Sequence, residues 1–119
     1  MKNNLILFEK KLNTFDMVSN VINRKNLHLE IYTEYELNNS GQTLCLYLFE
    51  ADDEKFYLSD MEVIREIVSE LNLDEKIVFA SIEKFGLNSN GKSIFAEVTL
   101  DSLGKVLENF YKFVDYLNI

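Results

Sequence analysis

The chain has 119 residues, 47% of them hydrophobic, enough for one domain over residues 1–119 whose core needs no disulfide or metal to hold it. Its 20 acidic residues outweigh 12 basic ones for a net charge of −8, and no basic cluster exceeds Lys10-Lys11 or Arg24-Lys25, which argues against direct binding of nucleic acid. A single histidine, His28, and a single cysteine, Cys45, exclude an internal disulfide, a His-rich metal site and an HExxH centre, and there is no Walker A, GxGxxG or CxxC sequence.

Residues 5–22 place Leu5, Phe8, Leu12, Phe15 and Ile22 on one helical stripe, widened by Met17, Val18 and Val21, and predict an N-terminal amphipathic helix. Asn23-Arg24-Lys25-Asn26 ends it, with two cations where they complement a helix C-terminus. From Leu27 to Glu36 the odd positions are mostly apolar and the even ones carry Glu30, Glu34 and Glu36, the period of a half-buried strand. After a turn at Asn38-Asn39-Ser40-Gly41, residues 43–49 are apolar at every position but the first and predict a strand covered on both faces, with Cys45 a buried thiol. Ala51-Asp52-Asp53-Glu54 reads as a turn and residues 55–58 as a short third strand, completing a meander.

Ser59, with Glu62 three residues on, matches a capping box, and the helix it opens would bury Met61, Ile64, Val68 and Leu71. Asp74 predicts a second N-cap, Ile77, Val78, Ile82 and Phe85 the apolar face that follows, and Gly86 the C-cap. Asn88-Ser89-Asn90-Gly91 turns the chain into a strand over residues 93–99, whose hairpin partner begins near Leu87. Leu103, Val106, Leu107, Phe110, Phe113, Val114 and Leu117 then recur at three- and four-residue spacing in a C-terminal amphipathic helix. The predicted fold is α+β: an antiparallel sheet of a three-stranded meander and a later hairpin, packed against N-terminal and C-terminal amphipathic helices in the order α-βββ-α-α-ββ-α.

The acidity is local. Residues 27–62 hold Glu30, Glu34, Glu36, Glu50, Asp52, Asp53, Glu54, Asp60 and Glu62 against Lys55 alone, whereas acids and bases balance over the other 83 positions. Acidic faces serve solubility, but solubility does not require this segregation, and a confined acidic region attracts basic protein surfaces. The expected docking residues are Glu30, Glu34, Glu36, Asp52, Asp53 and Glu54, with Tyr32 as an aromatic anchor and Tyr47 or Tyr57 as further anchors if they reach the surface.

The element order resembles that of bacterial secretion chaperones, small acidic cytosolic proteins that bind other proteins. Phe56-Tyr57-Leu58-Ser59-Asp60, followed later by Ile94-Phe95-Ala96-Glu97-Val98-Thr99 and a terminal helix, resembles an uncharacterised bacterial and phage domain family in which a strand ends in Leu-Thr-Asp. Ser59 stands where that family has threonine, and Met61 where an Asp or Gly is expected; the resemblance implies a fold and no activity.

The expectation is therefore a non-enzymatic, cytoplasmic protein-binding module, with no catalytic residues, no metal and no cofactor. It would be an antagonist or a chaperone-like protein docking on a basic protein surface. An immunity protein against a toxin, or a phage anti-defence inhibitor that mimics nucleic-acid charge against a nucleic-acid-binding protein, would have this composition. The alternative is a metal-dependent hydrolase or nuclease using Asp60, Glu62 and Glu97. A homodimer through the terminal helices is a third reading, and no apolar run approaches the length of a membrane span.

Overall fold

The alternation along His28–Glu36 folds into the longest strand of a six-stranded antiparallel sheet. The computed structural model describes residues 4–37, 42–51, 54–61, 63–70 and 72–117. Its elements are α1 (Asn4–Leu12), β1 (Val18–Arg24), β2 (His28–Glu36), β3 (Thr43–Glu50), β4 (Phe56–Ser59), α2 (Val63–Glu70), α3 (Glu75–Ala80), a 3₁₀ turn (Ile82–Phe85), β5 (Asn88–Ser89), β6 (Ile94–Val98) and α4 (Leu103–Leu117). The spatial strand order β1-β2-β3-β4-β6-β5 makes one continuous sheet from the meander and the hairpin. The α+β class, the meander, the later hairpin and the flanking helices are as the sequence predicts.

The N-terminal helix is shorter than its stripe. It ends at Leu12, where Asn13 N–H donates to the Glu9 carbonyl and the Thr14 hydroxyl to that of Lys11. Val18, Val21 and Ile22, spaced to suit a helix, instead lie on an extra edge strand, so the meander has four strands. Their β-branched side chains favour that outcome, and Val18 and Val21 pair with the β2 residues Thr33 and Ile31 and pack against the core. Asn23-Arg24-Lys25-Asn26 is consequently a hairpin corner and not a helix end. Lys25 and Asn26 have φ of 57° and 59°, and Leu27 N–H donates to the Arg24 carbonyl, the backbone of a primed turn that matches strand twist.

Aliphatic side chains define the core. Leu29, Ile31, Leu44, Leu46, Leu48, Leu58 and Ile94 are fully buried on one face of the sheet, beneath Leu5, Phe8 and Leu12 of α1, Ile64 and Val68 of α2, and Phe110, Phe113 and Val114 of α4. The Phe8 and Phe56 rings meet at 4.9 Å, and Lys11 Nζ donates to the Leu100 carbonyl, tying the end of α1 to the approach of α4. Phe15 lies against Gly104, where an added Cβ would stand 3.5 Å from the ring in ordinary contact. Gly104→Ala is thus expected to gain about 0.5–1 kcal/mol from helix propensity alone, measurable by urea denaturation.

A buried carboxylate takes part in capping α2. Glu62 lies outside the described residues, as do Leu71 and the turn at residues 38–41. The Ser59 hydroxyl accepts from Met61 N–H, while the neighbouring Asp60 carboxylate accepts from Ile64 N–H in the first turn of α2. Met61 is 53% exposed with φ of 50°, because it forms the corner between β4 and α2 and not a turn of the helix. Asp74 caps α3 as predicted, accepting from Lys76 and Ile77 N–H, and Gly86 closes the following 3₁₀ turn in the left-handed conformation. Ile77, expected on the apolar face, is 61% exposed, since α3 spans only Glu75–Ala80 and turns Val78 inward.

Candidate protein-docking face

Side chains alternate across a strand, so the face opposite the core receives every second residue of each strand. Strand register lines these residues up in rows. One row runs Arg24, His28, Phe49, Tyr57, Glu97; the next runs Ile22, Glu30, Tyr47, Ser59, Phe95, Asn88; a third holds Asn20, Tyr32 and Cys45. Tyr32, Tyr47, Phe49, Tyr57 and Phe95 are all partly exposed on this face, unlike the fully buried leucines between them. Ring centroids are 6.1 Å apart for Phe49 and Tyr57, 6.1 Å for Tyr57 and Phe95, and 5.9 Å for His28 and Tyr47. The result is a continuous aromatic surface across the middle of the sheet.

This surface corrects one expectation and extends another. Residues 43–49 are covered on one face only: Leu44, Leu46 and Leu48 point into the core, and Cys45, Tyr47 and Phe49 are partly exposed on the other. Burial nonetheless raises the Cys45 thiol, as befits a small apolar group between rings. Tyr32, Tyr47 and Tyr57 are all partly exposed on this face. Phe49, Phe95 and Glu97 join them without having been expected there; the available signal was the alternation of aliphatic with aromatic or charged residues in β3 and β6.

Of the predicted acids, Glu30, Glu34 and Glu36 do share the open face of β2, while Asp52 and Asp53 lie outside the described residues. Glu54 is exposed in the β3–β4 loop with φ of 65°, and lines a shallow 300 Å³ cleft with Lys55, Phe56 and Glu97 at the same end of the sheet. Glu30 differs from the rest. Arg24 holds it through two hydrogen bonds of 2.9 and 3.1 Å, the Tyr32 hydroxyl donates to it at 2.9 Å, and His28 lies 3.5 Å away. The Arg24 hydrogen bonds, then that of Tyr32, lower its carboxyl to about 2. Glu30 therefore orders the face and neutralises Arg24, whereas Glu34 and Glu97 are exposed and make no side-chain hydrogen bond or ion pair among the described residues.

A pH prediction follows from that geometry. The folded carboxyl of Glu30 titrates below its ordinary 4.5, so its stabilisation is complete above 4.5 and is lost as pH falls towards 2. Arg24→Ala should raise the Glu30 titration midpoint towards the ordinary carboxylate range in a carboxyl-carbon NMR titration, because the largest cause of its lowering is removed while the Tyr32 and His28 contacts remain. A midpoint that stays near 2 in the variant would show that Tyr32 and His28 hold it without Arg24.

Of the acids named for metal chemistry, Glu62 lies outside the described residues, and Asp60 and Glu97 occupy different settings. Asp60 is 0% exposed, with one carboxylate oxygen accepting from Ile64 N–H at 3.0 Å and the other from Ile94 N–H at 2.9 Å. Glu97 stands exposed on the open face, and among the described residues no three metal-ligating side chains cluster. Asp60 has instead a structural task that explains its burial. Among the described residues no helix is long and apolar enough to cross a membrane.

No family model matches the chain, and neither a curated protein nor a solved structure is significantly similar to it. Fold and site define an α+β protein with helices on one face of an antiparallel sheet and an aromatic, acid-bordered surface on the other.

Proposed function

We propose that this is a cytoplasmic, non-enzymatic protein-binding module that docks the open face of its sheet on a basic protein surface. The observation that carries the reading is the run of partly exposed rings, Tyr32, Tyr47, Phe49, Tyr57 and Phe95, bordered by Glu34 and Glu36 at one end and by Glu97 and Glu54 at the other. Aromatic residues are the side chains that dominate binding energy when desolvated at the centre of an interface, and a charged border steers the encounter. An antagonist fits this arrangement best: an immunity protein for a toxin, or a phage anti-defence inhibitor that covers the nucleic-acid site of its target. A chaperone-like role would use the same face.

The test is affinity capture from nuclease-treated lysate of the source cell, followed by binding of the purified partner to wild type and to the Glu34→Lys, Glu36→Lys double variant. A basic partner whose affinity falls about tenfold with the variant, and falls further with salt, supports the reading. A partner bound equally by both proteins overturns it.

A further inference from the structure

Resting on the docking reading, we infer that the rings around Tyr57 form a receptor for arginine side chains of the partner, with Glu97 as their counter-charge. Tyr57 lies at the centre of a three-ring cluster, between Phe49 and Phe95, each 6.1 Å away. The planes meet at 32° and 75°, so among the described residues none of these rings is capped by a parallel ring. Tyr35 and Tyr111, on the other side of the sheet, show the contrast: stacked 4.7 Å apart at 3°, they cover one another. Glu97 sits directly opposite Tyr57 across the β4–β6 pair, about 5 Å away at Cβ by the geometry of such pairs. A planar cation laid over the Tyr57 ring would therefore meet a carboxylate at its edge.

Charge chooses the occupant. A stacked nucleobase would suit the rings, but its phosphates would face Glu34, Glu36 and Glu97, while Arg24 is already held by Glu30. A second copy of this chain would set those same acids against their own images. An apolar partner would leave Glu97 desolvated and unpaired. Among cations, guanidinium is planar and weakly hydrated and reaches a carboxylate with two parallel donors while it stacks, whereas an ammonium is a compact, strongly hydrated point charge. The surface is thus selective for arginine, beyond attracting positive charge.

The experiment compares labelled oligoarginine and oligolysine peptides of equal length by fluorescence anisotropy at fixed salt. Wild type should bind oligoarginine about fivefold or more tightly than oligolysine. The ratio should approach one in Tyr57→Leu and in Phe95→Leu, whose leucines keep the apolar volume, while Glu97→Gln weakens oligoarginine more than oligolysine. Equal affinity of wild type for the two peptides would overturn the arginine assignment on the unaltered protein. If that equal binding were lost with Glu34→Lys, Glu36→Lys, docking by charge would stand without the arginine receptor; if neither peptide bound, the assignment would fall as well, and the capture experiment would decide the docking reading separately.

Discussion

Asp60→Ala is expected to cost about 3 kcal/mol or more in urea denaturation. Asp60 is 0% exposed and stands where β4 ends, α2 begins and β6 comes alongside. Its own N–H donates to the Ile94 carbonyl at 3.1 Å, and its side chain returns the bond by accepting from Ile94 N–H at 2.9 Å. The carboxylate thus takes the next acceptor position of the β4–β6 ladder after the backbone has turned away through Met61. The second oxygen accepts from Ile64 N–H at 3.0 Å and satisfies a donor at the start of α2. Alanine would leave two buried amides without these acceptors, each costing about 1–3 kcal/mol, and would release α2 from the sheet. Asp60→Asn keeps one carbonyl oxygen but turns an NH₂ group towards the other amide, so its loss should be smaller yet clear. A cost under about 1 kcal/mol for Asp60→Ala would mean that water replaces the carboxylate at both amides.

The second large effect is expected at Phe113. This ring is fully buried on α4 and meets Phe85 of the 3₁₀ turn edge-to-face at 5.5 Å and 64°, and Phe85 in turn meets Tyr116 at 5.5 Å. Phe113→Ala opens a cavity between α4 and the Ile82–Phe85 turn and should cost about 3–5 kcal/mol. Phe113→Leu, which refills most of the space, should cost nearer 1 kcal/mol. Tyr57→Leu is the informative contrast, because its ring is only half-desolvated on the open face and its loss should stay within about 1 kcal/mol. A ring that folding can spare in this way is free to be selected for contact with a partner. If Tyr57→Leu destabilised the protein as much as Phe113→Ala, the open face would be part of the core and the docking proposal would lose its basis.

Much of the fold was legible because local pattern and tertiary burial agree. The alternation of β2, the apolar spacing of α4, the N-cap at Asp74 and the left-handed Gly86 are each dictated by a few neighbouring residues. The helix stripe over residues 5–22 misled because Val18, Val21 and Ile22 satisfy a three- and four-residue spacing while their burial comes from pairing with β2, a contact no local window contains. Asp60 was equally hidden: its partner Ile94 lies 34 positions away, so its sequence context reads as a first-turn acid.

The docking face was legible in part. Glu30, Tyr32, Glu34 and Glu36 were placed correctly on the solvent side by the period of β2 alone. In β3 every residue from Leu44 to Phe49 is apolar or aromatic, so a two-letter pattern of apolar and polar cannot separate the faces. Finer chemistry can: leucine occupies the core positions, and cysteine, tyrosine and phenylalanine the open ones. The pairing of Glu30 with Arg24 depends on the β1–β2 hairpin, which a helix over residues 5–22 does not contain.

Docking through the open face is decided by the affinity of the captured partner for two sets of variants, read by calorimetry at one salt concentration. Tyr57→Leu, Phe95→Leu and Glu34→Lys probe the open face; Ile77→Ala and Glu108→Lys probe exposed positions on α3 and α4. Losses of about tenfold or more are expected for the open-face variants and unchanged binding for the helix-side ones. Losses confined to the helix-side variants, with the open-face proteins binding as wild type does, would contradict docking through the open face.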